Sequence, residues 1–128
     1  MSSIEIVILQ KFKSGLVEFI DELINWMPVD EELLATRILI NDQLPIVFLM
    51  EKFIEHILPL ESQIVNREEE FFLNDPQVFG NVKDQNKILS LKNLWTNPEF
   101  TKSDKDKAWK WMEFFVKCTK LYLQHHKD

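Results

Sequence analysis

Apolar residues recur at helical spacing along most of this chain, and the spacing predicts a succession of amphipathic helices. Between Ser3 and Met27, the residues Ile8, Leu9, Phe12, Leu16, Phe19, Ile20, Leu23 and Trp26 fall on one face, with Lys11, Ser14, Glu18, Asp21, Glu22 and Asn25 opposite. Ser2 or Ser3 is placed to cap this helix, and Pro28 to stop it. Gly15 lies at the edge of the stripe, where a second helix can approach closely. Asp30 opens a short second helix ending near Asn41, with Glu31 and Glu32 where the helix dipole favours acids. Leu33, Arg37 and Ile40 share one of its faces, which sets a guanidinium inside an apolar stripe.

A third helix is expected over 44–58, capped by Asp42 and carrying Pro45 in its first turn. Only Glu51, Lys52, Glu55 and His56 interrupt its apolar surface, so it belongs near the centre of a bundle. Pro59 ends it and begins a fourth helix reaching Asn74, whose apolar face holds Leu60, Ile64, Phe71 and Phe72. Glu61 and Glu68, one heptad apart, fall on that same face, while Glu69 and Glu70 point away. Asn74, Asp75 and Pro76 predict a turn, residues 77–82 with Gly80 a mobile loop, and Ile88, Leu91, Leu94 and Trp95 the inner face of a fifth helix over 84–95. Ser103 and Asp106 read as a capping box opening a sixth helix over 103–124. The expected fold is a single all-α domain over 1–128, a bundle of five to six helices with 44–58 and 103–124 central. No repeat, linker or strand-like alternation argues otherwise.

The sixth helix carries more apolar residues than one core face needs. Trp109, Met112, Phe115, Val116 and Leu123 suffice for the core, which leaves Phe114, Cys118 and Leu121 on a second arc that must meet another helix or a partner. Trp111 lies beside that arc, with Lys110 and Lys117 as cationic neighbours. Aromatic anchors flanked by cations are the usual composition of an interface centre, so Trp111, Phe114, Cys118, Leu121, Lys110 and Lys117 form the expected partner-binding surface. Trp95, Phe100 and Trp109 add to the aromatic crowding, most of which core packing explains more simply than a partner does.

Composition narrows the picture further. The chain has 128 residues, 45% of them hydrophobic, and a net charge of −6. That length can bury roughly two-thirds of the surface an unfolded chain exposes, enough for an independent core. Residues from Thr101 onward hold seven lysines against three aspartates and one glutamate, a basic end of +3 on a body of −9. Such a balance argues against sequence-independent nucleic-acid binding, which needs clustered cations. The lone Cys118 closes no internal disulfide and points to a reducing, cytoplasmic setting. No signal peptide is recognisable, and no apolar run approaches the roughly 20 residues that span a bilayer, so a soluble protein without membrane insertion is expected.

The stock of catalytic parts is small. There is no glycine-rich phosphate loop, no nucleophile elbow and no paired cysteines, so no catalytic residue, metal or cofactor is assigned. His125 and His126 are adjacent at the end of a fraying helix, where they could hold a metal only weakly. Glu61 and Glu68 are the best carboxylate pair. A solvated boundary position is the plain reading for them, a structural ion pair with Arg37 the specific expectation, and acid chemistry the weakest alternative.

With Ile57-Leu-Pro-Leu60, Glu68-Glu-Glu-Phe-Phe-Leu73 and Ala108-Trp-Lys-Trp-Met112 in view, the chain resembles small helical proteins encoded by large nucleocytoplasmic DNA viruses of algae and protists. The resemblance spans about residues 15–123 and departs at Leu60, where that family often has an aromatic. It implies a viral origin and a host-cytoplasm, viral-factory or virion setting, and it brings no activity or catalytic residues to carry over. The expected function is a non-enzymatic protein-interaction or structural module acting on a protein partner or as a homo-oligomer. A helical host-factor mimic with a peptide-binding groove, of the death-regulator kind, is the alternative, although the Asn-Trp-Gly-Arg signature of that class is absent. An enzyme using Glu61 and Glu68 is the last.

Overall fold

The computed structural model describes residues 2–26, 31–74 and 93–126. The predicted stop at Pro28, the Asp30 cap, the 77–82 loop and most of the 84–95 helix lie outside the described residues. Within them the protein is all-α, with no strand, as the hydrophobic periodicity predicts. The helices are α1 (Ser3–Trp26), α2 (Glu31–Ile38), α3 (Ile46–His56), α4 (Glu61–Val65), α5 (Glu69–Asn74) and α6 (Lys102–His125), with a further helical turn at 93–96.

Two long helices form the frame. α1 and α6 run antiparallel, so Glu5 meets His126 at one end, Gly15 meets Phe114 midway, and Glu22 meets Trp111 towards the other end. α3 packs across both. Its Phe53 meets Phe12 of α1 at 5.0 Å and Phe115 of α6 at 5.5 Å, and Phe12 and Phe115 stand 6.0 Å apart, each pair edge to face. Edge-to-face geometry sets the positive ring edge against the negative ring face, adding about 1 kcal/mol per pair to ordinary burial. Phe12, Met50 and Phe115 are almost wholly buried at this junction. The centre assigned to 44–58 and 103–124 is therefore shared by α1, which supplies Ile8, Leu9, Phe12, Leu16 and Ile20 to the same core.

Local chemistry explains where the elements begin and end. Ser2 Oγ accepts from the Glu5 backbone N–H, and the Glu5 carboxylate accepts from Ser2, a capping box that starts α1. α2 continues into a π-helical turn over Leu39–Gln43, in which the Leu44 N–H reaches back five residues to Leu39 at 2.7 Å. That turn draws Asp42 into the preceding element. Contrary to the sequence reading, Asp42 accepts from the Asn41 side chain, and Pro45 takes the cap position of α3 without a side-chain cap. Pro59 falls in a 3₁₀ turn, Leu58–Leu60, which bears out the boundary drawn there.

Two further expectations are corrected. The helix foreseen from Pro59 to Asn74 is broken at Asn66–Glu68. There the Glu68 N–H donates to Gln63 O and the Arg67 N–H to Ile64 O, each at 3.0 Å, a Schellman closure with Arg67 in the left-handed region at φ 52°. The sixth helix is capped two residues earlier than expected. Thr101 Oγ1 accepts from the Asp104 N–H, and Asp104 accepts from the Thr101 N–H, so Thr101 and Asp104 form the box rather than Ser103 and Asp106. Asp106 is thereby released to accept from Arg67 at 2.7 Å.

Candidate functional site

The antiparallel pairing of α1 and α6 leaves a groove of about 650 Å³ along one side of their contact, a volume in the range of ligand-binding clefts. Its floor is made by Gly15, Trp111 and Phe114. Gly15 permits the closeness, because an added Cβ would stand 2.5 Å from Phe114 Cε1 and 3.2 Å from the Trp111 ring. Trp111 is anchored at both ends. Its ring lies 5.9 Å from Phe115 in a near-parallel stack, and its Nε1–H donates to Glu22 Oε2 at 2.6 Å. The rim is charged, with Lys11 and Glu18 on α1 and Lys107 and Lys110 on α6. Lys107 stands 3.9 Å from Glu22, and Lys110 stands 3.1 Å from Asp106.

The predicted partner surface is divided by this packing. Trp111, Phe114 and Lys110 meet in the α1–α6 groove. Lys117 and Leu121 face a smaller hollow of about 300 Å³ with Glu61, Glu113 and Lys120. Cys118 reaches neither. It is buried in the core with Phe12 and Phe115, and burial pushes its thiol up to about 11, against the weaker pull of Lys117 and Lys11. The wheel placed Phe114, Cys118 and Leu121 on one arc. It could not show that α1 covers the middle of that arc and leaves its edges open.

The expected ion pair of Arg37 with Glu61 or Glu68 is replaced by two others. Arg37 Nε donates to Asp21 on α1 at 2.6 Å, and this bond raises the guanidinium further above its ordinary value. Glu61 accepts from Lys120 on α6 at 2.8 Å. Glu68 is exposed beyond the α4 closure, because the break at Arg67 turns it off the face it would share with Glu61 on an unbroken helix. The arginine that does bind across the fold is Arg67, which holds Asp106 and lies 3.7 Å from Glu113. Arg67 and Lys110 together hold the Asp106 carboxyl below its usual range, Arg67 most strongly.

Glu18 and Glu22, which the helical wheel sets on the polar face of the first helix, are groove residues, and so is Lys107, which no sequence pattern singles out. The available signal was Gly15, which predicted close approach by a helix without saying which one. Among the described residues no group of three or more histidine, cysteine or acidic side chains is placed to hold a metal ion, and no helix is long and apolar enough to cross a membrane. Comparison with protein-family models, with curated proteins and with solved structures found no match to the chain.

Proposed function

We propose that this protein is a non-enzymatic interaction module that receives a protein partner in the α1–α6 groove. One observation carries the reading: two aromatic rings, Trp111 and Phe114, packed against the core yet only partly buried, line a glycine-backed floor between charged rims. Anchored aromatics in a concavity ringed by polar groups are the usual form of an interface hot spot, since little side-chain entropy is lost when a partner docks. The groove is lined by three lysines, Lys11, Lys107 and Lys110, against two acids, Glu18 and Glu22, so its charge is positive on balance. The fitting partner therefore presents an apolar side chain beside carboxylates. On the enzyme alternative, the hollow beside Glu61 holds Glu113 and Lys120 rather than Glu68, so the two acids invoked for it do not share a site. The viral resemblance belongs to the same proposal and gives it a setting in a viral factory or virion.

A photo-reactive residue at Ser14, inside the groove, compared with one at Lys52 on α3, tests the reading in extract from the native host. The Ser14 protein should cross-link a discrete partner that the Lys52 protein does not. Lys110→Glu combined with Lys11→Glu should reduce that product about tenfold by repelling the acidic partner. Identical cross-links from both positions, or none from Ser14, would refute the groove as the docking site.

A further inference from the structure

A second cavity, of about 190 Å³, opens on a different stripe of α6, between that helix, α1 and α5. Its walls are dominated by Trp26, Phe72, Trp95, Phe100 and Trp109. These rings meet as corners rather than as a flat stack. Trp95 meets Trp109 at 82° and 5.5 Å, Trp26 meets Phe100 at 76° and 4.9 Å, and Phe72 meets Trp109 at 63° and 5.6 Å. Among the described residues lining it, Glu69 is the one charged side chain. One group there is left without a counterpart by simple apolar packing: Trp95 Nε1, buried with no acceptor among the described residues, while the exposed Glu69 sets its carboxylate at the mouth.

We propose that this cavity binds a small quaternary ammonium compound of the choline type, a trimethylammonium group carrying an oxygen acceptor a few bonds away. Aromatic walls attract a cation through the ring quadrupole, and a methylated ammonium sheds its weakly held water at little cost. A compact metal cation would forfeit its hydration to a lining almost free of oxygen, and an anion would meet Glu69. A neutral hydrocarbon would fill the space but leave the buried Trp95 N–H unanswered. The trimethylammonium group suits the aromatic walls with the Glu69 carboxylate at their mouth, and the ligand oxygen accepts from the Trp95 N–H. Lys105, whose Nζ lies 5.6 Å from the Trp95 ring centroid, shows that this ring already accepts an ammonium. The volume suits a free small molecule better than a peptide segment.

Tryptophan fluorescence reads the site directly, because Trp26, Trp95 and Trp109 line it and Trp111 does not. In a Trp111→Phe background, choline should give a saturable change. Its neutral carbon isostere, with tert-butyl in place of trimethylammonium, should bind about tenfold more weakly. Glu69→Gln, an exposed change whose thermal melt serves as the folding control, should weaken choline about fivefold and leave the isostere unaltered. Trp95→Phe should remove the preference for choline over tetramethylammonium, which lacks the oxygen. Equal binding of choline and its isostere, an unchanged choline affinity in Glu69→Gln, or no saturable response in folded protein would each overturn the proposal. So would binding of a trimethyl-lysine peptide without binding of choline.

Discussion

A single missing Cβ at position 15 sets how closely α1 and α6 approach, and its energetics can be argued with a definite sign. Alanine there gains about 1 kcal/mol of helix propensity over glycine. It also forces the Phe114 ring away from a 2.5 Å contact, although that ring already touches Trp111 and Phe115. Overpacking of this kind costs about 1–3 kcal/mol. Gly15→Ala should therefore lower stability by about 1 kcal/mol, a fall of about 4 °C in melting temperature, and should blunt partner capture by tilting Phe114 into the groove. A melting temperature at or above wild type would show that Phe114 swings aside freely. Cys118 makes a second prediction at this scale. A buried thiol held up to about 11 has little thiolate at neutral pH and no path for a reagent. Its reaction with a thiol reagent should be negligible in the folded protein and rise steeply across the denaturant transition. Fast labelling well below that transition would mean that α6 detaches from α1 without global unfolding.

At the scale of elements, the turn between α4 and α5 departs most from a plain helical reading, and Arg67 is its hinge. A non-glycine residue in the left-handed region costs about 1–2 kcal/mol, which Arg67 offsets by bridging to Asp106 and Glu113 on α6. Arg67→Gly should relieve the backbone while losing the bridge, whereas Arg67→Ala should lose the bridge and keep the strain. The glycine variant is thus expected to be more stable than the alanine variant by about 1–2 kcal/mol in chemical denaturation, the reverse of the usual helical order. Equal stabilities would show that the turn rearranges when the arginine is lost. Periodicity made α1, α3 and α6 legible in the sequence, because each buries a broad apolar face against several neighbours. The Arg67 closure was not legible, since neither glycine nor proline marks it and its partners lie 39 and 46 residues away in sequence. The same limit explains Arg37. A helical wheel gives the face a charge occupies, but it does not show which helix brings the counter-charge, and Asp21 of α1 was counted among solvated residues. Half of the groove was readable for this reason: Trp111, Phe114 and Lys110 stand out within α6, whereas the α1 wall enters only through tertiary packing.

For the whole molecule, the α1–α6 frame is closed at one end by a contact that joins the two ends of the described chain. His126 Nδ1 lies 2.9 Å from Glu5 Oε2, and the imidazole stacks on Tyr122 at 5.0 Å. Glu5 is one of the few buried polar residues, and it also completes the cap of α1. The hydrogen bond from His126 holds the Glu5 carboxyl below its ordinary 4.5, with Ser2 assisting and burial opposing. A depressed carboxyl pKa stabilises the fold fully above the unfolded value, and the contribution disappears as pH falls through the folded value. Glu5→Gln preserves the shape of the side chain and removes its charge. Its stability deficit relative to wild type should be present above the unfolded carboxyl value and should shrink as pH falls through the lower folded value, where wild-type Glu5 itself takes up a proton. Denaturant midpoints measured across that range decide the matter. A deficit unchanged at low pH would assign the effect to cap geometry rather than charge, and a deficit that widened on acidification would contradict the sign. His126→Ala should reproduce most of the neutral-pH deficit and, combined with Glu5→Gln, add little to it, because the two side chains act through one contact.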